Sequence, residues 1–255
     1  MWDRLRRLFR GRSKFSRIPD ERIVGGMATM PSREATMRRA VASIISQVDR
    51  LYLYLDGYQE VPAHLSGNEK ITPILSRDVP GLHANGKFFG LSQETGPCIF
   101  VSVDDDFEYA PDFAGHLRNG LTRYDDHAVV GFHGTIFRQP VDSFRASRIG
   151  IPYNSRPRED RPVHALGTGA VMFDSRYLQF DVRGWRHTNM VDLCLAIEAT
   201  KASLQLISLA RRKRYLLPLA EQQADSIHAA LLVDDSRQTQ LARELLRLQE
   251  IHIRR

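Results

Sequence analysis

Cysteine is scarce in this 255-residue chain, which has only Cys98 and Cys194. Both lie in apolar segments, so they supply neither a disulfide framework nor a zinc cluster, and they suit a reducing compartment. No stretch approaches the roughly 18 consecutive apolar residues that cross a bilayer, and the first residues lack the apolar core of a secretion signal. The expectation is a cytoplasmic catalytic part. Three motifs are missing as well. Without G-x-G-x-x-G or G-x-x-x-x-G-K-[ST], a dinucleotide oxidoreductase or a nucleoside triphosphatase is disfavoured, and without G-x-S-x-G serine hydrolysis has no support.

Positive charge is lacking where a nucleic-acid enzyme would need it. The formal charge is +6, but Met1 to Asp20 holds seven Arg or Lys against two Asp, which leaves the remaining residues near neutrality. Nucleic acid is therefore not an expected partner. In that tail Trp2, Leu5, Leu8 and Phe9 recur at near-helical spacing among arginines. Such a pattern suits peripheral contact with anionic lipid or an acidic partner surface, and it suits equally a leader that only solubilises.

What the chain does have is an alternation of short apolar β-type runs with helical patterns. Strands are expected at Ile23 to Ala28, Leu51 to Leu55, Ile71 to Leu75, Cys98 to Val103, Ala128 to Gly134, from Gly167 onward, and Leu204 to Ile207. Helical patterns follow Ser32, a candidate cap, and run over Asn85 to Glu94, Asp112 to Tyr124, Asn189 to Lys201 and Gln240 to Arg255. This predicts an α/β fold, one domain over residues 21–219 with a mostly parallel central sheet and ligands at the carboxyl ends of its strands. A basic tail over 1–20 and a helical extension over 220–255 flank it. Residues Arg138 to Pro162 carry six arginines and four prolines with little periodicity, and are read as a loop or flap over the site.

Three carboxylates, Asp104, Asp105 and Asp106, stand directly behind the apolar run ending at Val103. Alternation along a strand would aim Asp104 and Asp106 at one ligand and turn Asp105 to a helix terminus or a basic neighbour. Crowded carboxylates suit a hard divalent cation, Mg²⁺ or Mn²⁺; a solvated acidic turn is the bland reading. Asp56 follows the second strand and His133 the fifth, which gathers polar groups where an α/β fold builds its site. A nucleoside diphosphate sugar would use them well: a carboxylate-held metal neutralises the leaving pyrophosphate, Asp56 accepts from base or ribose, and Lys87 reaches a phosphate or sugar hydroxyl. Asp56 reads otherwise as a turn residue and Lys87 as a solvated lysine. The arginines of the flap, with Arg156 and Arg158 at its centre, suit an anionic acceptor.

Taken in order, VGGMATMPSRE, SQVDRLYLYLDGY, NGKF, VDDDFEYAPDF, VGFHGTIF and LGTGAVMF resemble bacterial glycosyltransferases of the GT-A type. The likeness is nearest to the small N-acetylglucosaminyltransferases that help build the heparosan capsule, over roughly residues 22–215. The resemblance implies a UDP-sugar donor, a divalent metal, a capsule-like glycan acceptor and a partner glycosyltransferase. It implies that Thr29, Pro31, Ser32 and Arg33 form the first nucleotide loop, with Asp56, Lys87, Asp104 and Asp105 also on the donor. His133, Gly134, Gly167, Thr168 and Gly169 would line the sugar or acceptor pocket, Asp104 and Asp106 would hold the metal, and Asp106 with Asp192 would serve catalysis. A C-terminal histidine often returns to the metal in such enzymes, and His228 is the candidate. The family reads DDDI-x-YP where this chain has Phe107 and one residue more before Pro111. Two other classes compete: a catalytically weak transferase-like partner or scaffold, and a metal-dependent nucleotide-sugar hydrolase.

Overall fold

The computed structural model describes residues 21–212, 214–219 and 234–254. The basic tail and His228 lie outside them. Among the described residues there are thirteen strands and four α-helices: β1 Ile23–Thr29, α1 Glu34–Ile44, β2 Arg50–Leu55, β3 Ile71–Leu75, β4 Ile99–Val103, β5 Phe107–Tyr109, α2 Phe113–Thr122, β6 Ala128–Gly131, β7 Gly134–Phe137, β8 Arg148–Ile151, β9 Arg161–Pro162, β10 Ala165–Leu166, β11 Ala170–Asp174, α3 Val191–Lys201, β12 Gln205–Ser208, β13 Leu216–Pro218 and α4 Ser236–Arg254.

Eight strands form one sheet in the order β3-β2-β1-β4-β11-β6-β12-β9. The pairs β2–β3, β1–β2, β1–β4 and β6–β12 are parallel, whereas β11 runs antiparallel to both β4 and β6, and β9 antiparallel to β12. Side-chain alternation splits the core between the two faces. Leu51, Leu53 and Leu55 of β2, Ile99, Val101 and Val103 of β4, and Met172 of β11 pack with α1 and α2 on one face. Tyr52, Tyr54, Phe100, Val171 and Phe173 point the other way, where α3 and the Leu241, Ala242, Leu245 and Leu246 stripe of α4 cover them. These strands are buried on both faces, which is why their sequences read as continuous apolar runs.

Local readings and structure part in several places. The helix following Met30 begins with a 3-10 turn, Pro31–Arg33, and its N-cap is Arg33, not Ser32. The run after Ala128 is two strands, β6 and β7, with Phe132 and His133 between them. Residues 138–162 are not a free flap. Within them β8 pairs with β7, β9 pairs with β12, and Asp160 binds Arg123 and the Ala210 N–H. The paired stretches are only four and two residues long, too short for a period to show among arginines and prolines.

Candidate active site

β4 stops at Val103, so Asp104, Asp105 and Asp106 occupy the turn into β5 and strand alternation does not orient them. Hydrogen bonds do. The Tyr109 hydroxyl accepts from the Asp104 N–H at 2.7 Å and donates to the Gly169 carbonyl at 2.9 Å. Asp105 is buried and accepts from Arg33 at 3.2 Å, so it does turn to a basic neighbour. Lys87, 5 % exposed rather than solvated, forms an ion pair with Asp104.

The two outer carboxylates differ. Lys87 holds Asp104 below the usual carboxylate range in spite of burial. Asp106 is pushed up to about 7, first by burial and then by the charges of Asp104 and Asp105, and its Oδ1 is enclosed without a hydrogen-bond partner. Asp105 is also raised by burial, against the pull of Thr29 and Arg33. Lys87 senses Asp104, Asp192 and Asp105 together, which places a fourth carboxylate in the same field. Four carboxylates share this field with two cations, Arg33 and Lys87, and Asp106 is the one whose ionisation its neighbours most oppose.

Two glycines pack directly against these side chains. A Cβ on Gly169 would lie 2.1 Å from Asp104 Oδ2, and one on Gly167 would lie 1.8 Å from His133 Nε2. Both glycines are therefore needed for the protein's own side chains to seat. The Gly167 N–H donates to the His133 carbonyl at 2.9 Å, and Gly134 pairs with Leu166 across β7 and β10. Burial holds His133 below the usual imidazole range, so the ring is neutral at pH 7, and its Nδ1 is enclosed without a partner. Thr168 donates through its N–H and its hydroxyl, each at 2.8 Å, to Asp192 Oδ1 in the first turn of α3. One carboxylate oxygen is thereby fixed.

The 3-10 segment His83–Gln93 adjoins the same carboxylates through Lys87. Gly86 and Gly90 seat directly on the Tyr54 and Tyr52 rings, where added Cβ atoms would come within 2.2 and 2.3 Å, and Gly26 of β1 meets the Lys87 carbonyl in the same way. From that bed His83 binds Asp56 at 3.0 Å, Asn85 donates to the His187 carbonyl at 2.8 Å, and Lys87 reaches Asp104. Asp56 in turn donates its N–H to Thr29 at 2.8 Å, and Gly57 lies against Pro31. Thr29, Pro31, Arg33, Asp56, Lys87, Asp104 to Asp106, His133, Gly134, Gly167 to Gly169 and Asp192 thus adjoin one another in a connected set. Arg156 and Arg158 are exposed and stand apart from these contacts. Beneath them the buried Arg211 donates to the Pro152 and Tyr153 carbonyls and the Ser155 hydroxyl, while its N–H binds the Pro157 carbonyl. His83, Tyr109 and Arg211 had no sequence signal, since their partners are fixed by packing across distant segments.

No protein-family model matches the chain, and no curated protein matches it. Among solved structures it is similar to glucosyl-3-phosphoglycerate synthase from Mycobacterium tuberculosis. One structure of that enzyme, with Mn²⁺, UDP and phosphoglyceric acid, aligns at TM-score 0.46 and 13 % identity over 76 % of this chain and 72 % of that one. Another, with Mn²⁺, UDP-glucose and phosphoglyceric acid, aligns at TM-score 0.49 and 14 % identity over 91 % and 80 %. Among the described residues, no three His, Cys, Asp or Glu side chains are already gathered around a metal position, and no helix is long and apolar enough to cross a membrane.

Proposed function

We propose that the chain is a metal-dependent glycosyltransferase that moves a sugar, N-acetylglucosamine on the sequence resemblance, from a UDP donor to a cell-surface or capsule-like glycan. The observation that carries this reading is the charge deficit around Asp106: a buried carboxylate oxygen without a partner, beside two further carboxylates. Hard oxygen donors crowded together, one of them with an unpartnered buried oxygen, fit Mn²⁺ or Mg²⁺. Asp104 and Asp106 would hold the metal, which when bound neutralises charge developing on the departing diphosphate.

The remaining work falls to the chain's own groups. Thr29, Pro31, Ser32 and Arg33 border the nucleotide, and Asp56 accepts from base or ribose. His133, Gly134 and Gly167 to Gly169 enclose the sugar. Asp192, with Oδ1 pinned by Thr168, presents its other oxygen to the reaction. In an inverting transfer it takes the acceptor hydroxyl proton; in the retaining transfer that the resemblance favours, it orients the donor and stabilises positive charge at the anomeric carbon. Arg156 and Arg158 receive a uronate carboxylate of the acceptor. The basic tail supports docking on a membrane surface or on a second glycosyltransferase.

The test is acceptor dependence. Protein with Mn²⁺ and a panel of UDP-sugars should release UDP faster when glycan oligosaccharides are added, and should lengthen the glycan. UDP release that no acceptor accelerates, with no elongated product, overturns transfer in favour of nucleotide-sugar hydrolysis. Absence of UDP-sugar binding by the isolated chain, together with copurification with an active transferase, would make it a scaffold. Nuclear magnetic resonance of the product linkage would report sugar and stereochemistry together.

A further inference from the structure

Lys87 is a cation held inside the protein by the carboxylate that the metal reading also needs. Its backbone is fixed, because Gly26 packs against its carbonyl and Gly86 against Tyr54. Only the flexible four-carbon stem can move. Its side chain is almost wholly enclosed and ends in the ion pair with Asp104. Asp104 has a side chain 32 % exposed, so the pair lies at the rim of the site and not in the sealed core. Lys87 sits on Asp104 Oδ1, and a divalent cation on either oxygen of the same carboxylate would bring two positive charges within a few ångströms of each other. Asp106 has an oxygen without a partner and no ammonium on it.

We propose that Lys87 is an exchangeable internal cation: it occupies Asp104 while the site is empty, and passes to the diphosphate of the nucleotide when the metal takes that carboxylate. The exchange rests on the metal reading above and adds to it a coupling between ligands. Metal alone must displace Lys87 and leave its buried charge unmatched, and nucleotide alone must draw it from Asp104. Together each ligand removes the other's penalty, which is positive linkage between the two.

The experiment compares the parent with Lys87→Met, Asp104→Asn, Asp106→Asn and the Lys87→Met/Asp104→Asn double variant. Mn²⁺ binding without nucleotide is followed by loss of the free-ion paramagnetic resonance signal, and UDP binding without metal by calorimetry in chelator. Lys87→Met should bind Mn²⁺ alone about tenfold more tightly than the parent, the size of one charge-assisted hydrogen bond released. Asp104→Asn should raise metal-free UDP affinity by about tenfold because it frees the ammonium. Asp106→Asn changes the neighbouring carboxylate without freeing Lys87, and should raise it by less than about threefold. In the double variant the gain should vanish.

Equal gains in Asp104→Asn and Asp106→Asn overturn the exchange, as does a folded Lys87→Met with unchanged Mn²⁺ affinity. If Lys87→Met does not fold, Asp104→Asn, Asp106→Asn and the double variant, in which neither buried charge is left alone, decide the matter through UDP affinity. A parent that takes up no Mn²⁺ with or without UDP overturns the metal reading itself. Mn²⁺ uptake by the parent with none of the Lys87 effects overturns the exchange alone.

Discussion

Gly169→Ala is the substitution that most directly separates a built carboxylate site from an acidic turn. The added methyl would lie 2.1 Å from Asp104 Oδ2 and 2.7 Å from its Cγ, both well inside ordinary van der Waals contact, which begins at 3.4 Å. The Gly169 backbone cannot easily yield, because its carbonyl accepts from Tyr109 at 2.9 Å and β11 pairs on both sides just beyond it. The Asp104 side chain must therefore turn away and loosen its contact with Lys87. Overpacking of this kind costs about 1–3 kcal/mol, a cost that leaves an ordinary domain folded. Displacement of a ligand by its supporting shell weakens metal affinity by about 10- to 100-fold. Gly115→Ala is the matched control: it is exposed in α2 with nothing within 4 Å of the added Cβ, and should stabilise the protein by about 0.5–1 kcal/mol. Calorimetric titration of Mn²⁺ in the presence of UDP, paired with thermal melts, reads both effects. If Gly169→Ala keeps parental affinity with a normal melt, Asp104 is not held for a metal and the reasoning fails.

Asp106→Asn removes a carboxylate that burial and two like charges already oppose; the metal-free protein should melt higher than the parent, while Mn²⁺-dependent UDP binding falls by about tenfold or more. A lower melting temperature with intact UDP binding would contradict it. Replacing Arg156 and Arg158 together with glutamine should raise KM for a uronate-containing oligosaccharide and weaken its salt dependence, with UDP affinity unchanged; parallel loss of UDP binding would place these arginines over the donor instead. Arg211→Met strips donors from the Pro152 and Tyr153 carbonyls and should cost about 1–3 kcal/mol, seen by denaturant unfolding and by faster proteolysis within residues 152–158. An unchanged digestion pattern would show that Arg211 does not anchor that segment.

Much of the scaffold was legible locally. β3 falls where ITPIL placed it, and β4 ends at the first aspartate, because a buried strand must be apolar at every position and a polar run ends it. The glycines of NGKFFG and GTG were visible, but their neighbours Tyr54, Tyr52, His133 and Asp104 were not. Long-range partners were not legible. The partner of Asp105 is Arg33, 72 residues earlier, and Asp192 is fixed by Thr168, 24 residues before it.

The sequence by itself determined where most strands of the large sheet and the helices that flank it lie, and that an acidic turn follows the central strand. Periodicity and propensity act over a few neighbouring residues, so those features are written locally. Only the tertiary structure decided that β11 inserts antiparallel between β4 and β6, and that insertion carries Gly169 onto Asp104 and Gly167 onto His133. It also decided that Lys87 is a buried counter-ion and that the arginine-rich segment is pinned from beneath by Arg211. Strand order and burial depend on the free energy of the whole packed chain, and no short window of sequence contains that sum.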